Sequence, residues 1–269
     1  MNDILSADWR EQYGQWAIVT GASSGIGRAI AAELASAGLH LILVARRRHL
    51  LETLASELSQ AHSIETCVLE LDLAQRDGVQ HLIDSTANMD IGLLVASAGF
   101  GTSGQFVDST LESEMTMLAV NCGAVLELSH AFGKRFAEQK RGGIILLSSL
   151  VAFQGVPMSA HYAATKAYVQ SLAEGLHLEL ASHGVDVLAV APGPVASGFA
   201  EQADMQMGAT VTPEAVAKGT LNALGKKITV RPGWLSLALE SALALLPRWA
   251  RARIMGQVMS GMTAHQNSS

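Results

Sequence analysis

Trp16-Ala-Ile-Val-Thr20 runs directly into Gly21-Ala-Ser23-Ser24-Gly25-Ile26-Gly27, and the alanine-rich Arg28-Ala-Ile-Ala-Ala-Glu-Leu-Ala-Ser-Ala-Gly38 follows. The first five residues are apolar strand formers, and the last stretch ends on a glycine as a helix does. The passage reads as strand, glycine turn, helix. The first N–H groups of a helix lack partners and its N-terminus is electropositive, so a pyrophosphate can sit there if glycines let the backbone approach. The GxxxGxG spacing is neither the GxGxxG fingerprint nor a P-loop, which needs Gly-Lys-Ser/Thr. A plain βα turn is the alternative, and the flanking strand and helix favour the ligand-binding reading.

Outward from this turn the pattern repeats. Residues 39–45 (LHLILVA) read as a second buried strand. NAD-binding units place an acid at the end of that strand, whereas here Ala45 is followed by Arg46-Arg47-Arg48. Arginine suits a 2′-phosphate through planar, charge-assisted hydrogen bonds, so NADP(H) is expected over NAD(H); a solvated basic helix start is the other possibility. Further strands are expected at 67–71, ending on Asp72-Leu73, at 91–96, running into Ser97-Ala98-Gly99, at 143–147, at 185–191, ending on Pro192-Gly193-Pro194, and at 228–230. Asp72 can be a ligand contact or only a helix cap. Thr212-Pro213-Glu214 opens a helix, with Thr212 as its cap. Alternating strands and helices with no internal repeat predict a Rossmann-like, doubly wound α/β fold with a seven-stranded parallel sheet, its ligands along the carboxyl edge of the strands.

Ser148-Ser149 ends the fifth expected strand, and Tyr162 and Lys166 stand at i and i+4 in a segment expected to be helical from about residue 157. That spacing puts them on one helical face. A phenol titrates near pH 10, and an adjacent ammonium is expected to favour the phenolate and lower that value. Tyr162 would then be an acid–base residue, with Ser149 fixing the substrate oxygen. A Tyr-x-x-x-Lys match alone arises often by chance; its weight comes from the preceding motifs.

Composition narrows the classes. Nearly half of the 269 residues are apolar and only 16% are charged, which argues for a large core and against disorder. The net charge of −6 leaves no basic footprint for nucleic acid. Cys67 and Cys122 stand apart in apolar contexts and read as reduced core residues, and no ligand spacing suggests a metal. Asp3, Asp8 and Glu11 near the start do not form a secretory n-region, so a cytoplasmic location is expected. No uncharged apolar run reaches about 18 residues; the nearest, over 234–246, contains Glu240.

Taken in order, these motifs closely resemble the short-chain dehydrogenase/reductase family in its compact single-domain form. The resemblance implies cofactor contacts from Gly21, Ser23, Ser24, Gly25, Ile26 and Gly27, from Arg46 and Arg47, from Asp72 and Leu73, and from Ala98 and Gly99. It adds Pro192, Gly193, Val195 and Ser197, the last where a threonine is usual. Asn121, Ser149, Tyr162 and Lys166 look like the catalytic tetrad, Asn121, Tyr162 and Lys166 also touching the cofactor. In that scheme Tyr162 passes the proton, Lys166 lowers its pKa and holds the nicotinamide ribose, Ser149 holds the carbonyl, and Asn121 keeps a water linking Lys166 to solvent. One departure is Ala96-Ser97 where the family usually has Asn-Asn, which puts local rigidity and cofactor affinity in question.

The implied activity is NADP(H)-dependent interconversion of a ketone or aldehyde and an alcohol. A nucleotide-sensing scaffold and an epimerase or dehydratase are the alternatives. The implied pocket lies between residues 150–158 and 198–211. Phe199, Met205 and Met207 there suit an apolar substrate, or are ordinary core, and His161 reads as a wall or surface residue. The chain is expected to be one domain with a lead-in over 1–13, a core over 14–233, a helical extension over 234–261 and a tail over 262–269, disordered from Ala264. The extension can cover the cleft, pack in an oligomer or lie on a membrane surface, and the family habit implies a homodimer or homotetramer.

Overall fold

The computed structural model describes residues 9–233 and 246–268. Seven parallel strands run β1 (Trp16–Thr20), β2 (His40–Ala45), β3 (Thr66–Glu70), β4 (Ile91–Ala96), β5 (Gly142–Leu147), β6 (Val185–Val190) and β7 (Thr229–Val230). Their order across the sheet is β3-β2-β1-β4-β5-β6-β7, so the winding reverses between β1 and β4. A crevice opens at such a switch point, outside the carboxyl ends of the strands.

The strands form here because alternate residues are claimed by two separate cores. Ala17 and Val19 of β1, Leu41 and Leu43 of β2, and Ile145 and Leu147 of β5 face one helical layer, built from α2 (Gly25–Ser36), α3 (Arg48–His62) and α9 (Pro213–Ala223). Ile18, Ile42, Val44, Ile144 and Leu146 face the other, built from α4 (Arg76–Ser85), α6 (Val125–Gln139) and α7 (Ala160–Ala181). Each fully buried branched side chain contributes about 1.5–3 kcal/mol, and burial on both faces explains the continuous apolar runs. Thr212 caps α9 by accepting from Ala215 N at 3.2 Å, as its sequence predicted.

Residues 9–13, the described part of the lead-in, form α1 (Trp9–Tyr13), and Tyr13 is buried, its hydroxyl donating to Asp186 Oδ2 at 2.8 Å. Two elements differ from expectation. The tail is not disordered, for residues 264–268 form a 3₁₀ turn held by hydrogen bonds to the body of the protein. α5 (Leu111–Leu118) passes through a π-turn at residues 119–124 into α6, a helical irregularity without a sequence signal. This run, Leu111–Gln139, is long and apolar enough to cross a membrane by length and composition. Val125, Leu128, Phe132 and Phe136 bury its inner face on the sheet, as in a core helix.

Among the described residues there are also the short α8 (Phe199–Gln202) and the 15-residue α10 (Arg248–Met262) of the extension. The apolar helix expected over 234–246 lies, but for its last residue, outside the described residues.

Candidate active site

β1 delivers the chain to the switch point, and the glycines that follow are there because nothing larger fits. Gly21 has φ +67°, and a methyl on it would stand 2.9 Å from the Ala98 backbone across the crevice. A methyl on Gly27 would stand 2.5 Å from Gly21 O, so helix and turn could not close on each other. Gly25 also lies in the left-handed region, with φ +56°. Ser24, the N-cap of α2, makes no side-chain cap, which leaves the helix N–H groups open toward the cavity. Arg47 donates to Ser23 Oγ at 3.0 Å and Ser24 Oγ at 2.9 Å, and Arg46 lines the same rim. This donor-rich cradle fits a dinucleotide phosphate chain.

On the other side of the crevice Thr20 replaces the bracing expected from asparagines. Its buried hydroxyl accepts from Ser97 N and Ala98 N, both at 3.0 Å, so the loop bearing Ala96-Ser97 is tied to β1. Asn121 holds the next residues. It accepts from Phe100 N at 3.1 Å and donates to Phe100 O at 2.9 Å and Thr165 Oγ1 at 3.1 Å. Asn121 is fully buried and sits behind the cavity wall, with Gly99 close against both its Oδ1 and Lys166 Nζ. The other cofactor-contact candidates all line one cavity of about 820 Å³ together with Ser149, Tyr162 and Lys166. That size accommodates a cofactor or a drug-sized ligand. Asp72 lines it and accepts from Ala74 N at 3.0 Å in the turn after β3, but it is not the cap of α4, whose N-cap is Gln75.

Tyr162 and Lys166 share the buried face of α7. Burial pushes the phenol up to about 12, opposed by a hydrogen bond from Ser149. It also pushes the Lys166 ammonium down to about 8. The expectation that Lys166 depresses the phenol is corrected here. Lys166 Nζ lies 5.8 Å from the Tyr162 ring centroid and donates to Leu147 O at 2.7 Å, so desolvation dominates both groups. The Phe199 ring packs on Tyr162 at 5.2 Å.

Two features escaped the sequence, and a third was one of several roles left open. Glu114 is buried, its Oε2 2.6 Å from His161 Nδ1 and its Oε1 accepting from Thr102 at 3.0 Å. His161, outside the main cavity, therefore ties α7 to α5. Arg231 stacks on Phe153, 4.4 Å from the ring centroid. α10 covers the cleft with Met255, Val258, Met259 and Met262, whose i, i+3, i+4, i+7 spacing was the available signal. Phe199, Met205 and Met207 line the cavity as expected.

Fold and site together define a dinucleotide-binding enzyme of the doubly wound α/β class. The family model described as short chain dehydrogenase matches residues 15–208, and the chain belongs to that family. It is thus an oxidoreductase acting between hydroxyl and carbonyl groups with a nicotinamide cofactor. It is 36% identical over 233 residues to a 7beta-hydroxysteroid dehydrogenase of Clostridium sardiniense, covering 85% of this chain and 89% of that protein. A solved structure described as giving insights into 7beta-hydroxysteroid dehydrogenase stereoselectivity superposes with a TM-score of 0.85 at 26% identity, over 91% of this chain and 98% of that one. A short-chain dehydrogenase from Sphingobium yanoikuyae in complex with NADPH gives 0.78 at 27% identity, over 87% and 96%.

Proposed function

We propose that this protein is an NADP(H)-dependent oxidoreductase that interconverts a bulky apolar ketone, of polycyclic steroid size, and its alcohol. The observation carrying this reading is the continuity of one cavity. It runs from the Arg46–Arg47 rim, past Lys166 and Tyr162, into a half walled by Phe199, Met205, Met207 and Met259. The steroid and NADPH relatives support both ends of it.

In reduction the nicotinamide, when bound, supplies the hydride to the carbonyl carbon. Ser149 donates a hydrogen bond to the carbonyl oxygen, and Tyr162 gives that oxygen its proton, so hydride plus proton makes the alcohol. Oxidation reverses the proton, with Tyr162 as base. The Tyr162 proton is replaced through Lys166, whose lowered pKa lets it exchange protons near neutrality. Asn121 positions the 98–101 loop beside them. Phe199 keeps water from the phenol. In this reading the protein is a cytoplasmic single-domain enzyme, and Leu111, Met115, Leu118 and Leu126, all exposed on α5 and α6, support pairing into a homodimer or homotetramer. The scaffold alternative drew on Ala96-Ser97 alone, and the bonds from Ser97 N and Ala98 N to Thr20, which hold that loop on β1, support the enzymatic reading over it.

The test is reduction of a carbonyl panel by NADPH and NADH, repeated with Arg46→Ala/Arg47→Ala. Two lost charge-assisted hydrogen bonds should weaken NADPH about 10- to 100-fold and leave NADH nearly unchanged. Equal loss for both cofactors contradicts the coenzyme assignment. Product formed without net NADPH consumption points to an epimerase or dehydratase instead.

A further inference from the structure

The matched family region ends at residue 208, so α10 and the turn after it lie outside it. They are nevertheless built into the active-site half of the molecule. Met259 is buried against Val156 and Ala163, and the same cluster takes in Met158 and Met205 from two other walls and Met255 and Met262 from α10. Gly256 lets the helix close on the 150–158 segment, since a methyl there would stand 3.1 Å from Pro157 Cγ.

The end of α10 is fastened in turn. Gln206 N donates to Met262 O at 2.9 Å, and the buried Thr263 hydroxyl donates back to Met259 O at 2.9 Å. Beyond it Gln266 Nε2 donates to Ser103 Oγ at 2.8 Å and to Asp204 O at 2.7 Å. His265 Nε2 lies 2.9 Å from Asp204 Oδ1, and Ser103 Oγ donates to Ala203 O at 2.6 Å. The strap therefore joins three chain segments at one place: the C-terminal turn, the 198–211 lobe and the 98–104 loop. That loop touches the chemistry directly, for Gly101 is packed against both Tyr162 and Phe199.

We propose that residues 255–266 are the specificity-determining wall of the substrate pocket: the methionine face of α10 grips the part of the substrate remote from the carbonyl, and His265 and Gln266 fix that face relative to Tyr162. This rests on the proposed reductase function. Methionine is unbranched and polarizable, so a stripe of it fits the irregular surface of a large rigid apolar body without a specific polar anchor. A small ketone held at Ser149 and Tyr162 never reaches the wall. Loosening the strap is therefore felt most by a ketone large enough to reach the wall, while Asn121 still holds the 98–101 part of the loop beside Tyr162. Gln266, His265 and Ser103 are positioning residues, acting through the helix.

The experiment compares wild type with His265→Ala/Gln266→Ala, and with Ser103→Ala, which removes the shared hydroxyl from the opposite side. A polycyclic keto-steroid and cyclohexanone are the substrates, with NADPH affinity measured separately. The steroid KM should rise about tenfold, a loss of roughly 1.4 kcal/mol, while kcat/KM for cyclohexanone and NADPH affinity change by less than about twofold. Hydrogen exchange supplies the independent readout: the steroid should protect the amides of 248–266 in wild type and much less in the double variant. Unchanged steroid KM with unchanged protection, or equal losses on both ketones, overturns the wall. A wild type that binds NADPH but reduces neither ketone overturns the parent reading, and the wall with it.

Discussion

At Tyr162 and Lys166 burial works on both groups in opposite directions, and the signs can be separated. Lys166 titrates near 8 in the folded protein against an ordinary 10.5, so between those values the unfolded chain binds its proton more tightly. Its contribution to stability therefore rises with pH from about 8 to 10.5. Tyr162, raised from 10.0 to about 12, is held protonated by the folded state, and its contribution falls as pH rises from 10 toward 12. In the ligand-free enzyme, Lys166→Met removes only the first effect. The Tm of wild type relative to that variant should climb between pH 8 and pH 10, and a flat difference would contradict the assignment of Lys166 as a desolvated ammonium. The sequence made the pair visible because i and i+4 is a local relation. It could not reveal the sign of the Tyr162 shift, because that is set by how much of the fold closes over the phenol.

The same division holds for elements. β1, the glycine turn and α2 were legible because each constraint is local: the methyl that Gly27 lacks would collide with Gly21 O, six residues back in the chain. Gly27→Ala should destabilise the protein by about 1–3 kcal/mol through this overpacking. It should also weaken NADPH binding, because relief requires the turn to move; urea unfolding and cofactor titration read the two effects. Wild-type stability with wild-type affinity would show that the turn does not need its close approach. The π-turn around Asn121, the Glu114–His161 pair and the docking of α10 were not legible. Each is decided by a partner far along the chain: Asn121 by Phe100 and Thr165, Glu114 by Thr102 and His161, Met259 by Val156 and Ala163. The sequence marked 234–261 as a helical extension but could not choose between cleft, oligomer and membrane. The 264–268 turn follows the same rule, since its order comes from Ser103 and Asp204 rather than from its own polar residues.

For the whole molecule, the two-sided core and the sheet order put every contact candidate except Asn121 on one carboxyl edge, facing one cavity. The outer face of α5 and α6 remains apolar, with Leu111 and Met115 more than half exposed. If that face pairs subunits, Leu111→Glu/Met115→Glu should shift the mass in solution to the monomer while far-UV circular dichroism stays unchanged; an unaltered assembly would place the contact elsewhere. The central claim is narrower: Tyr162 passes the proton that accompanies hydride transfer across this cavity. Its most direct measurement is single-turnover oxidation of bound NADPH by a bulky ketone, wild type beside Tyr162→Phe. The account predicts that the variant binds NADPH with wild-type affinity and loses the oxidation step by about 10²-fold or more. A variant that oxidises NADPH at the wild-type rate would contradict it.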